Sequence, residues 1–174
     1  MKRESLRALF LNELRDLHSG EICLTKVLPD LARAVHSREL RAAFDRYLAE
    51  TEGQLNRIER IFAHLGEDPK GKRRKGMQSL VMECRYAMGE DLEEEARDVS
   101  LISEVQRVKH YEIATYGTAV VFANLLRVEE SAALLRLTLR EEEEANLNLE
   151  RLALTTRVEA DTQCVNEMWA TRVY

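Results

Sequence analysis

Proline and glycine are scarce in this chain: two prolines and seven glycines in 174 residues. A β-sandwich or barrel needs many more turn residues, spread at regular intervals, so an all-β fold is excluded. Long hydrophobic runs are missing as well. No stretch approaches the roughly 18 consecutive apolar residues of a membrane span. The opening Met1-Lys-Arg-Glu-Ser-Leu6 leads into no apolar run of signal-peptide length. Cysteine is sparse and odd in number. Cys23, Cys84 and Cys164 lie far apart without metal-type spacing, and read as buried thiols of a reducing compartment. A cytoplasmic location is therefore expected. Positive charge is not in excess, because 26 Lys and Arg face 31 Asp and Glu for a net charge of −5. A basic face for nucleic acid is not expected, and the one local exception, Lys70-Gly-Lys-Arg-Arg-Lys75, reads as a solvated loop. No nucleophilic triad, phosphate loop or zinc motif is present.

What the chain does contain is charge and helix formers. Charged residues make up 33% and hydrophobic residues 45%, with Glu, Arg, Leu and Ala prominent. That composition favours long amphipathic helices, and the length fits one domain over 1–174. Leu6, Phe10, Leu14, Leu17, Leu24 and Leu28 repeat at helical spacing and define a first helix over about 5–35, capped by Ser5 and kinked at Pro29. Ser37 opens a second over about 38–65, with Leu40, Phe44, Leu48, Ile58 and Phe62 on its stripe. Gly66-Glu-Asp-Pro-Lys-Gly71 breaks it. A short helix over about 75–87 follows inside a longer connection. The third long helix covers about 96–126 and the fourth about 131–158, joined by a tight turn. A last short helix is expected over about 160–171, with Trp169 packed on the bundle. Short turns force antiparallel hairpins. Two hairpins joined by a long crossover make a ferritin-like four-helix bundle with one or two short extra helices. Tandem coiled-coil pairing is the alternative, weakened by the short loops and by polar residues that interrupt every stripe at one level.

That polar level carries the functional signal. Each helical residue turns about 100°, which places Glu21 at the centre of the first stripe. Tyr47 is central on the second, Gln54 close to central and Glu50 at the inner edge. Lys109 is central on the third, with Glu112 at its edge and His110 nearly a quarter-turn away. Glu142 is central on the fourth, Asn146 is close by, and Glu141, Glu143 and Glu144 point to solvent. Height agrees with facing: Glu21 and Glu50 lie about 15 residues either side of the first turn, as do Glu112 and Glu142 about the second. A core does not keep four unpaired carboxylates, since each costs several kcal/mol or holds a proton. Two cations remove that cost. Hard oxygen ligands with some imidazole suit iron or manganese, as in carboxylate-bridged di-iron bundles. Glu21, Glu50, Glu112 and Glu142 are thus the metal-ligand candidates, with Tyr47, Lys109, His110 and Asn146 as additional site residues.

These residues sit in segments that resemble a known family. Leu9-Phe-Leu-Asn-Glu-Leu-Arg-Asp-Leu-His-Ser-Gly-Glu21, Ala43-Phe-Asp-Arg-Tyr-Leu-Ala-Glu-Thr-Glu52, His110-Tyr-Glu-Ile-Ala-Thr-Tyr-Gly117 and Leu134-Leu-Arg-Leu-Thr-Leu-Arg-Glu-Glu142 are similar to segments of the YciE/YciF-type ferritin-like proteins of bacteria. The resemblance covers nearly all of residues 5–157. It implies a ferritin-like bundle, commonly a homodimer, linked to stress responses and carrying a candidate di-iron centre. It also implies His where Tyr47 stands, Glu where Lys109 stands and Asp where Asn146 stands. All three departures fall on the inward stripes. An ammonium at Lys109 can donate three hydrogen bonds to carboxylates, and it repels a metal ion. The expected function is that of a stress-associated protein with a degenerate centre, structural or regulatory in role and holding no cofactor. A metal-binding oxidase or iron-handling protein with an altered site is the alternative. A helical interaction module whose polar midline sets register is the third reading.

Overall fold

The computed structural model describes residues 2–71 and 75–155. Five helices follow one another: α1 (Arg3–Ala34), α2 (Arg38–Leu65), α3 (Gly76–Gly89), α4 (Glu94–Leu126) and α5 (Glu129–Thr155). No strand occurs among the described residues. The four long helices form the two expected antiparallel hairpins, α1–α2 and α4–α5. The short helix expected over 160–171, Trp169, Cys164 and positions 156–158 of the last long helix lie outside the described residues.

Several boundaries differ from the periodic reading, two of them where acidic residues open a helix. The first helix starts at Arg3, with Lys2 rather than Ser5 in the cap position. α1 continues unbroken through Pro29. The acidic residues Glu94 and Glu95 form the first turn of α4, and Glu129 and Glu130 the first turn of α5. Acidic side chains favour the positive end of the helix dipole, so both helices begin about two residues early. α2 does start as expected: Ser37 accepts a hydrogen bond from the Leu40 N–H at 3.2 Å. It stops at Gly66, whose φ of 66° places it in the left-handed region that glycine adopts without strain.

Contacts at the two ends settle the topology. Arg3 donates to the Leu126 carbonyl at 3.1 Å, so the start of α1 meets the end of α4. Asp98, in the first turns of α4, accepts the N–H groups of His36 and Ser37 at 2.8 and 2.7 Å, so the start of α4 meets the α1–α2 turn. α4 therefore runs antiparallel to α1. The crossover covers the length of the bundle between these ends. It leaves α2 at Glu67, which pairs with Arg7 at 2.6 Å, and α3 then lies against α1 and α4. Gly20 lets α3 come close, because a Cβ there would stand 3.3 Å from Met77. Around the bundle the order is α1, α2, α5, α4.

The apolar core is in two parts. One contains Leu24, Leu28, Leu40, Phe44, Tyr47, Ile102, Val105 and Leu149. The other contains Phe10, Leu14, Leu17, Ile58, Phe62, Tyr116, Ala123 and Leu135. Between them, Glu21 on α1, Thr51 and Gln54 on α2, Lys109 and Glu112 on α4, and Glu142 on α5 are buried. The core thus divides at the level where the sequence places its inward-facing polar side chains.

Candidate functional site: a buried ammonium among glutamates

Glu21 follows Leu17 and precedes Leu24 on the buried face of α1. Lys109 and Glu112 lie between Val105 and Tyr116 on α4, and Glu142 lies one turn beyond Thr138 on α5. Helical spacing alone therefore aims all four inward. Glu21, Glu112 and Glu142 are each 1% exposed and Lys109 is 2% exposed. The Lys109 Nζ donates to Glu142 Oε2 at 2.7 Å and to Glu112 Oε2 at 3.0 Å. Glu142 Oε1 accepts from the Gln54 amide at 2.7 Å. Both oxygens of Glu142 thus face donors, the pattern of an ionised carboxylate. Glu21 Oε1 accepts a short hydrogen bond from the Tyr116 phenol.

The charges resolve by proton retention. Burial, reinforced by the nearby Glu142 carboxylate, pushes the Glu21 pKa up to about 8, against smaller opposing effects of the Tyr116 hydrogen bond and Lys109. Burial and Glu142 likewise lift Glu112 well above the usual carboxylate range. Burial and the charge of Glu21 raise the Tyr116 phenol. Burial alone would weaken the hold of Lys109 on its proton. The charges of Glu112 and Glu142, with the hydrogen bond to Glu142, outweigh that and raise its pKa above the ordinary lysine range. Glu21 and Glu112 are therefore held towards their neutral forms beside the Lys109 ammonium. Glu21 Oε2 and Glu112 Oε1 are buried without a hydrogen-bond partner.

The other candidates are placed differently. Glu50 sits at the rim, with its side chain 32% exposed and paired to Arg46 at 3.7 Å. Partial burial raises its pKa, against the lowering effects of Arg46 and Lys109. Glu50 and Glu112 both lie at the edge of their stripes, and of the two only Glu112 is buried. His110 is on the surface. Asn146 donates to Glu150 at 2.9 Å and is bonded to none of the four central residues. Tyr47 lies in the core, its phenol donating to the Ala145 carbonyl and accepting from Asn148, both at 2.9 Å. Its ring stands 5.5 Å from the Lys109 ammonium, within cation–π range. Among the described residues, no three carboxylate, imidazole or thiol groups converge as a metal-ligand set.

The α2–α5 seam holds groups that the stripes did not reveal. Glu141, expected in solvent, accepts from both guanidinium nitrogens of Arg57, the longer bond being 2.9 Å, and from Gln54 at 3.2 Å. Gln54 therefore links a rim ion pair to the buried cluster. On the α1–α4 side, the Tyr111 phenol donates to buried Asp16 at 2.6 Å. Cys84 is buried, and desolvation pushes its thiol up to about 12, whereas Cys23 is partly exposed. A chemically inert Cys84 follows.

Comparison with known proteins bears on the family. The model of a domain of unknown function, DUF892, matches residues 5–162. The chain belongs to the DUF892 family. Protein YciF of Escherichia coli strain K12 is 36% identical over 156 residues, which is 88% of this chain and 93% of YciF. The crystal structure of YciF, described as an E. coli stress protein, superposes with a TM-score of 0.84 at 35% identity, covering 87% of this chain and 96% of that one. A second solved structure, YcfI of Rhodopseudomonas palustris, is described as a candidate structural protein. It gives a TM-score of 0.81 at 31% identity over 88% of this chain and 95% of that one. The YciF-type resemblance of the four sequence segments is thereby shown over most of the chain.

Proposed function

We propose that this DUF892 protein is a ferritin-like, stress-associated cytoplasmic protein that acts structurally, through its assembly as a homodimer, and that its central carboxylate site is degenerate. The observation that carries this reading is the Lys109 ammonium, bonded to Glu112 and Glu142 in the middle of the bundle. A pair of carboxylate-bridged iron or manganese ions would need those oxygens, and a fixed cation beside them repels a metal at close range. The fourth carboxylate, Glu50, is turned to Arg46. The phenol of Tyr47 stands where the resemblance implies an imidazole, and it is committed to α5. The donor set therefore argues against a metal pair. The description of YcfI as a candidate structural protein supports the same direction.

A second reading, an iron- or manganese-handling protein or oxidase with an altered site, has one observation in its favour. Glu21 Oε2 and Glu112 Oε1 are buried without a hydrogen-bond partner. Titration of the protein with ferrous and manganous ions separates the two. Wild type should show no stoichiometric binding, while the triple variant Tyr47→His, Lys109→Glu, Asn146→Asp should bind measurably. Stoichiometric binding by wild type at the affinity of the triple variant would refute the structural reading.

A further inference from the structure

The chain has a net charge of −5, yet one cavity outside the midline cluster has a positive lining. It measures about 260 Å³ and lies between α1 and the start of the crossover. Arg15, His18, Ser19, Pro69, Lys70 and Gly71 line it, with no Asp or Glu among the described residues of the lining. Positions 15, 18 and 19 share one face of α1. Three carboxylates stand at the rim, and each has a partner. Glu67 pairs with Arg7 at 2.6 Å and reaches Arg15 Nη2 at 3.5 Å. The Asp68 carboxylate accepts the Lys70 N–H at 2.8 Å. Glu59, 53% exposed at its side chain, meets His18 Nε2 at 3.4 Å. Arg15 Nε donates to the Asp68 carbonyl at 3.3 Å, which leaves the Nη1 donors for a ligand. Among the described residues, no carboxylate comes within ion-pair distance of the Lys70 ammonium.

The site is built rather than merely charged. A Cβ at Gly71 would stand 2.4 Å from Arg15 Cδ and 2.9 Å from its Nε. The crossover backbone therefore packs directly on the arginine, and a side chain at 71 would push it aside. The His18 ring is set edge-on against Phe62 at 6.2 Å. Groups fixed in advance lower the ordering cost of binding. Directly after Gly71 the sequence reads Lys72-Arg-Arg-Lys75, and positive charge beside a cleft draws anions towards it. We propose that this cavity binds a small phosphate-type anion, as inorganic phosphate or as the phosphate group of a small ester. Arg15 and Lys70 supply the charge, and His18 and Ser19 supply polar contacts. Two cations on one cavity favour a dianion, and a phosphate group offers several strong acceptor oxygens to donors on different elements. Size limits the rest of the ligand, because sites for drug-sized molecules and cofactors begin at about 300 Å³.

The full-length protein is titrated with inorganic phosphate and, separately, with glycerol 3-phosphate at constant ionic strength, and backbone amide NMR shifts are followed. Wild type should saturate with a Kd of about 1 mM or tighter, with the shifts centred on Arg15, His18, Ser19, Lys70 and Gly71. Saturation by both probes assigns the site to the phosphate group itself. Saturation by inorganic phosphate alone assigns it to the free ion, and saturation by the ester alone to a phosphoester. Arg15→Gln and Lys70→Gln should each weaken binding about tenfold or more. Gly71→Ala leaves every charge in place and should weaken it similarly, because the new Cβ displaces Arg15. Far-UV circular dichroism verifies that the helices of each variant are intact. Lys75→Gln removes a charge outside the cavity and should weaken binding less than about threefold. Two results would overturn the site. One is no saturation by either probe. The other is binding that Lys75→Gln weakens as much as Lys70→Gln while Gly71→Ala leaves it unchanged.

Discussion

Lys109→Met removes the central cation while roughly keeping side-chain volume. In the folded variant Glu142 keeps its Gln54 bond at 2.7 Å and loses the ammonium at 2.7 Å, and Glu112 loses its donor at 3.0 Å. A buried ion left without its partner costs about 3–5 kcal/mol. The carboxylate can escape by taking up a proton, which caps the cost. Holding a carboxyl of ordinary pKa near 4.3 neutral at pH 7 costs about 3.7 kcal/mol, at about 1.4 kcal/mol per unit. The expected loss is therefore about 3–4 kcal/mol at pH 7. At pH 5 the same proton costs only about 1 kcal/mol. The sign follows from linkage: an acid kept neutral in the folded state has a raised pKa, so its penalty is present above the unfolded value and fades as pH falls towards it. Urea unfolding of wild type and variant at both pH values measures the two differences, with unchanged m-values confirming a comparable transition. A loss below about 1 kcal/mol at pH 7, or equal losses at the two pH values, would refute the charge argument and leave a packing effect.

Glu21→Gln tests proton retention. The Glu21 pKa of about 8 lies above its ordinary value of 4.5, so its stabilising contribution is complete below about 4.5 and is lost as pH rises through about 8. Glutamine keeps a neutral side chain that can accept from Tyr116, so the variant should match wild type near pH 5 and exceed it near pH 8 in thermal unfolding. Identical pH dependence of the two proteins would contradict the assignment. Asp98→Ala removes the acceptor of two backbone N–H groups at the α1–α2 turn and should cost about 2–3 kcal/mol in urea unfolding. A loss within about 0.5 kcal/mol would place Asp98 with ordinary surface residues.

Helical periodicity made the two hairpins legible, and the same arithmetic of facing and height placed Glu21, Lys109, Glu112 and Glu142 on one buried level. It works for residues at the centre of a stripe, where small errors of rotation do not change the surroundings. Edge placement does not decide the outcome: Glu112, at the edge of its stripe, is buried against Lys109, whereas Glu50, also at an edge, turns to Arg46. Tyr116 was read as an apolar stripe residue, because periodicity scores the ring and not the hydroxyl that reaches Glu21. Asp98, Asp16 and the Arg57–Glu141 pair went unseen for a different reason. Each sits on the flank of its helix, where the partner belongs to a neighbouring helix or turn whose position no single-helix pattern contains. The protons on Glu21 and Glu112 were anticipated only as a requirement of charge balance. Which carboxyls hold them depends on distances to Lys109 and Tyr116 that spacing does not supply.

The proposed function has Lys109 in the place of metal ions at the bundle midline. Anomalous diffraction from crystals of wild-type protein, purified without chelator and soaked in manganese, tests it most directly. No anomalous peak should appear among Glu21, Glu112 and Glu142, and the Lys109 ammonium should remain in hydrogen-bond contact with Glu142. Two occupied metal positions bridged by these glutamates, with Lys109 swung to solvent, would contradict it.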